Sequence, residues 1–175
     1  RRQRQMCIRD SYDPNVASLM QLGKWFDYMR ENGVYDNTRI ILVADHGRGL
    51  YLNWDRVIDN GPDTDFFFPL LMVKDFNAKG FSFSDTFMTT ADVPTLATSG
   101  LIDNPTNPFT GNAINANAKY DRPFYAFMSY DWDTSKNNGN QFFPGTWYRV
   151  DNQNARDKRN WVMVGENTVL PDALR

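Results

Sequence analysis

The tripeptide Asp45-His46-Gly47 is the part of this chain whose residue types and spacing could do chemistry. It directly follows Ile40-Ile41-Leu42-Val43-Ala44, a continuous apolar run. Such a run forms a strand buried on both faces, as in the interior of a parallel sheet. In open α/β sheets ligands bind beyond the carboxyl ends of the strands, which is where Asp45 and His46 stand. A carboxylate beside an imidazole suits a divalent transition metal such as zinc or manganese. Neighbouring residues of a regular strand point to opposite faces, so both reach one ion only if the chain turns there. Gly47 is the residue that permits such a turn. The competing reading of the same three residues is an Asx-type turn that only leads into a loop. His46 is the single histidine. A three-histidine zinc centre is therefore excluded, as is a Ser-His-Asp set built on another histidine.

Other polar residues carry weaker signals. Arg48 follows the tripeptide and offers a planar fork that could clamp a phosphate or sulfate; equally, it reads as a solvated loop arginine. Lys74, at the end of a second apolar run, invites the same two readings. Asp55, Asp59, Asp63 and Asp65 crowd one segment, but their spacing matches no calcium loop, and they read as a solvated acidic loop. Trp132, Phe142, Phe143, Trp147, Tyr148 and Trp161 make the last third aromatic. They either line a groove for a glycan or lipid headgroup or cover the open side of a sheet.

The elements that must position these groups can be read in order. Asp13-Pro14 is a helix start, with Asp as cap and Pro in the first turn. Val16, Leu19, Leu22, Phe26 and Met29 then recur on one helical face, and Gly33 is the left-handed stop. Tyr35 to Thr38 forms a short polar loop before the apolar strand. Helix, loop and buried strand make an α/β unit. Pro69 to Lys74 is the second strand, with Pro where no ladder donor is lost. Pro94 must sit in the first turn of a helix that begins near Thr90, capped by that hydroxyl, and Gly100 ends it. From Asp103 the chain turns polar and turn-rich. Phe124 to Met128 and Trp161 to Val164 are plausible strands there, with a turn at Asn137-Asn138-Gly139-Asn140.

Composition bounds the partners. Of 175 residues, 41% are hydrophobic and 23% charged, as in a globular protein with a real core. A net charge of -2 leaves no basic footprint for nucleic acid. Cys7 is the only cysteine, so no internal disulfide forms. No stretch approaches the roughly 20 apolar residues of a membrane span. Residues 1–11, RRQRQMCIRDS, read as a non-native, artefactual segment, basic and without periodicity, unlike the acidic and aromatic chain after it. The expected organisation is therefore 1–11 foreign, 12–102 an α/β domain, and 103–175 an irregular aromatic-rich segment packed on it.

Residues 22–47, from Leu22-Gly23-Lys24-Trp25-Phe26 through Tyr35-Asp36-Asn37-Thr38 to Asp45-His46-Gly47, resemble the sulfatase signature. In that family a helix ends at a glycine, an Asp-Asn-Thr loop follows, and an apolar strand delivers Asp-His-Gly. Asp92-Val93-Pro94-Thr95-Leu96 is similar to the family's Asp-x-x-Pro-Thr-Leu helix, and Asn107-Pro108-Phe109-Thr110-Gly111 to the segment after it. The resemblance covers Tyr12 to about Ile114. It is to the sulfatase and alkaline phosphatase superfamily, and within it to membrane-anchored lipoteichoic-acid-synthase-like and phosphoethanolamine-transferase-like proteins. It implies the C-terminal part of a three-layer α/β sandwich with a mostly parallel sheet. It implies Asp45 and His46 as ligands of a divalent ion, whether zinc, manganese or calcium. The nucleophile (threonine, serine or modified cysteine) and a further acidic ligand would lie upstream, and neither motif has a match here. The chain is thus expected to be inactive alone, as part of a hydrolase or transferase acting on phosphate or sulfate esters. The implied parent is membrane-anchored and works on the extracytoplasmic face, on substrates that include lipid headgroups or glycans. The alternative is a non-catalytic α/β module that binds a glycan or headgroup.

Overall fold

The computed structural model describes residues 2–129 and 143–174. Trp132, Phe142 and the turn expected at Asn137 to Asn140 lie outside the described residues. Helix α1 spans Arg2–Glu31 and runs unbroken through Pro14. The helix therefore does not begin at Asp13. An internal proline removes one i to i−4 bond. Asp10, whose carbonyl loses that partner, is exposed to water. The expected end is found: Gly33 has φ 68°, and the N–H groups of Gly33 and Val34 donate to the carbonyls of Arg30 and Met29, both at 3.0 Å. Met29 is buried, whereas Leu19 on the same stripe is exposed.

Strands β1 (Ile40–Val43) and β2 (Leu71–Lys74) form a two-stranded sheet. Pairing is antiparallel, with Ile40 opposite Lys74 and Val43 opposite Leu71. This corrects the parallel sheet expected from the apolar run. Parallel neighbours need a crossover, usually helical. The chain between β1 and β2 holds two 3₁₀ turns, at Trp54–Arg56 and Thr64–Phe67, and one isolated antiparallel bridge, Val57 to Asp63, with no α-helix, and returns along β1 in the opposite sense. Among the described residues the chain is mixed α/β with two small antiparallel sheets, and no parallel three-layer sandwich is present.

Two basic side chains lock the first sheet. Lys74 Nζ donates to the carbonyls of Tyr35, Asp36 and Thr38 and lies 4.3 Å from the centre of the Tyr35 ring. It is thus consumed in tying β2 to the loop before β1, which removes the phosphate-clamp reading. Arg39 donates to the carbonyls of Leu96, Ala97 and Ser99 and pairs with Asp75 at 2.9 Å. The Phe76 N–H and the Arg39 guanidinium hold the Asp75 carboxyl below its usual value. Through Arg39 the start of β1 grips the end of α2 (Val93–Thr98). Pro94 sits in the first turn of α2, and Gly100, at φ 71°, follows its end. The cap lies one residue earlier than expected: the Asp92 carboxylate accepts the Thr89 N–H at 2.8 Å.

The segment after Asp103 holds the larger sheet rather than irregular chain. β3 (Phe124–Met128), β4 (Gly145–Val150) and β5 (Trp161–Thr168) form an antiparallel sheet in that order. Its aromatic residues build their own core. Ala126, Tyr148, Val150 and Trp161 are buried together, with Ile58, Phe67, Phe124 and Ala155 packed against them. The reading of Tyr148 and Trp161 as groove lining is thereby corrected.

The first sheet is poorly covered. Val43, Leu70, Met72 and Val73 are all exposed, so apolar groups face water on both sides of the β1–β2 ribbon. The chain exposes 13437 Å², against roughly 8,800 Å² for a compact monomer of this mass. Unpaired strand edges with apolar neighbours template association. The isolated chain is expected to self-associate in size-exclusion chromatography; a monodisperse monomer with a sharp cooperative melt would contradict this.

A candidate metal-binding pair

β1 ends at Val43 and the backbone bends at Asp45. The bend breaks strand alternation and brings the two neighbouring side chains together. Asp45 Oδ2 lies 3.8 Å from His46 Nε2. An ion about 2.1 Å from each atom fits between them. Asp45 Oδ1 also accepts the His46 N–H at 3.0 Å; an Asx turn would take the N–H two residues on, and the Gly47 N–H goes instead to the Phe66 carbonyl.

The imidazole is oriented by its other nitrogen. His46 Nδ1 is 2.7 Å from the Gly47 carbonyl oxygen. A carbonyl only accepts, so Nδ1 carries the proton and Nε2 of the neutral ring keeps its lone pair. Metal-ligating histidines are commonly fixed in this way, by donation of the second ring N–H to a carbonyl or carboxylate. Both side chains are open to water, His46 at 63% and Asp45 at 90% exposure. Two ligands do not complete a centre, and the described residues contain no group of three or more His, Cys, Asp or Glu able to hold an ion.

Gly47 is needed for a reason other than the one expected. It is not among the glycines with positive φ. Its N–H donates to the Phe66 carbonyl at 2.9 Å. A Cβ there would overlap the Asp65 carbonyl oxygen and come within 2.6 Å of the Phe68 carbonyl oxygen. The site segment is thus pressed, backbone to backbone, onto the Thr64–Phe67 turn. That turn is itself anchored, because Phe67 lies 4.9 Å from Trp161 and 6.4 Å from Tyr148, ring centre to ring centre. The second sheet therefore backs the candidate site.

Arg48 is exposed and makes no hydrogen bond or ion pair among the described residues. The acidic loop is not simply solvated. Asp63 is buried, Asp65 pairs with Arg56 at 2.6 Å, and Asp59 pairs with Lys158 at 3.1 Å. A cleft of about 410 Å³ lies elsewhere, lined by Asp55, Asn154, Arg156, Asp157, Lys158 and Arg159. Asp157 and Arg159 pair within it at 2.6 Å, and the Arg159 guanidinium and N–H hold the Asp157 carboxyl at about 2. Neither Asp45 nor His46 lines this cleft.

No protein-family model, curated protein or solved structure matches this chain. Sequence reasoning missed the parts that hold the pair in place. Asp63 and Asp65 in Pro62-Asp63-Thr64-Asp65 carry an Asx-turn signal that could have marked the supporting turn. Nothing in the local sequence marks Phe66 as the residue whose carbonyl receives Gly47. Among the described residues no helix is long and apolar enough to cross a membrane.

Proposed function

We propose that this chain supplies half of a divalent-metal centre to a sulfatase-like enzyme acting on phosphate or sulfate esters. The observation that carries the reading is the convergence of Asp45 Oδ2 and His46 Nε2 at 3.8 Å beyond the end of an apolar strand. The resemblance of residues 22–47 and 92–96 to the sulfatase pattern supplies the reaction class. Asp45 contributes negative charge, and His46 a neutral donor whose tautomer the Gly47 carbonyl sets. Arg48, two residues beyond His46, offers a guanidinium for a substrate oxygen. A divalent ion held there supplies Lewis acidity toward a phosphate or sulfate oxygen and lowers the pKa of a hydroxyl nucleophile. The nucleophile and remaining ligands belong to an upstream part, which on this reading is membrane-anchored with its catalytic part on the extracytoplasmic face.

The test is turnover of aryl phosphates and aryl sulfates by the full-length parent, by its His46→Ala variant and by the present chain alone. The parent is expected to turn over one class, the variant to lose most of that activity with its metal ligand, and the chain alone to be inactive. Parent activity untouched by His46→Ala, or turnover by the chain alone, would refute the proposal.

A further inference from the structure

Asp63 is 0% exposed, yet it is not part of the candidate pair. A buried carboxylate is costly unless hydrogen-bonded, and here two backbone donors meet it. Its Oδ2 accepts the Tyr51 N–H at 2.8 Å, and its Oδ1 accepts the Asp65 N–H at 3.0 Å. The first donor lies just beyond the site segment; the second opens the turn whose Phe66 carbonyl holds Gly47. Between them Gly49 lies against Asp63, where an added Cβ would come within 2.8 Å of the Asp63 Cβ. Tyr51 has φ 52°, uncommon for a bulky residue, and its ring meets Phe66 edge-on at 6.4 Å. Residues 47–51 thus form a strap tied at both ends to one turn, and Asp63 sits beneath it.

We infer that Asp63 is the positioning residue of the Asp45–His46 pair. The inference rests on the metal reading above. Asp63 would not touch the ion. It fixes the turn that receives the Gly47 N–H, and the Gly47 carbonyl in turn holds His46 Nδ1. Orientation of Nε2 therefore depends on a carboxylate buried under the strap.

Zn²⁺ alone is the probe, titrated into the whole chain and followed by the ring signals of His46, the only histidine. Asp63→Asn preserves size but cannot accept both N–H groups as the carboxylate does. It is expected to weaken Zn²⁺ binding about tenfold or more, the usual effect of removing outer support, with the amide signals of β3, β4 and β5 unchanged. Asp92→Asn, the same exchange at a carboxylate that meets Thr89 and Lys119 rather than the strap, is the comparator and should leave the affinity within about twofold of wild type; an equal loss in both variants would reduce Asp63 to a merely structural role. In the unmodified chain, saturating Zn²⁺ should slow hydrogen exchange at the Gly47 and Tyr51 amides, because coupling between sites is reciprocal. This second measurement stands even if Asp63→Asn does not fold. Wild-type affinity in Asp63→Asn, or unchanged exchange at both amides, would overturn the inference while leaving the metal reading intact. Ring signals of His46 that do not move with Zn²⁺ in the wild-type chain would overturn both.

Discussion

Replacing Gly47 by alanine is expected to cost about 3 kcal/mol in urea unfolding, at the upper end for an overpacked site, and to abolish Zn²⁺ binding at His46. The added methyl would overlap the Asp65 carbonyl oxygen and approach the Phe68 carbonyl oxygen to 2.6 Å. Both obstacles are backbone atoms of the supporting turn and its exit, so no side-chain rotation relieves the clash. The strap must lift, and the Gly47 N–H then leaves the Phe66 carbonyl. Gly23→Ala is the control. It lies in α1 with nothing within 4 Å of the added Cβ, and it should be neutral or slightly stabilising, since alanine favours a helix over glycine by about 1 kcal/mol. A Gly47→Ala chain as stable as wild type, with its metal response intact, would show that the strap is not docked as described.

Trp161→Ala is the second large effect. The side chain is buried, and its ring lies 4.9 Å from Phe67, 6.2 Å from Phe124 and 6.0 Å from Tyr148, centre to centre. Truncating a buried tryptophan costs about 3–5 kcal/mol, against a total of roughly 5–15 kcal/mol for an ordinary domain. Far-UV circular dichroism in urea should show the second sheet largely lost. Trp161→Phe should keep the ring contacts and lose only the indole N–H bond to the Ala155 carbonyl at 2.8 Å, a change of about 1 kcal/mol. Because Phe67 belongs to the turn beneath Gly47, Trp161→Ala should also weaken the metal response of His46, with no contact between the two residues required. Retention of both the sheet and the metal response would separate the site from the C-terminal core.

What could be read from sequence was what local rules decide. The stop at Gly33, the apolar strand from Ile40, the placement of Pro94 at the head of α2 and the strand from Phe124 to Met128 each depend on a few neighbouring residues. The sense of pairing was not legible, because the run Ile40 to Val43 is equally apolar whichever way its partner runs. That sense depends on the path of residues 44–70, where 3₁₀ turns rather than a helix return the chain. β4 was missed because Thr146-Trp147-Tyr148-Arg149-Val150 lacks simple alternation, and register shifts against β5 displace its inward positions. The acidic loop misled for a related reason. Asp63 and Asp59 look alike in sequence, but one is sealed beneath the strap and the other reaches Lys158 across the surface. Lys74 and Arg39 show the same limit. Each serves carbonyls far away in sequence, and local composition carries no trace of that use. The candidate pair was legible as a motif; its bend, its imidazole tautomer and its support were not.

The most direct measurement is a Zn²⁺ titration of the chain labelled with nitrogen-15 at the histidine ring, run beside Asp45→Asn. With one histidine present, both ring nitrogens are observed without ambiguity. The geometry predicts that Zn²⁺ moves the Nε2 resonance while Nδ1 stays protonated, and that Asp45→Asn weakens this response at least tenfold. Coordination through Nδ1, or an Nε2 response identical in Asp45→Asn, would show that the carboxylate and the imidazole do not share an ion.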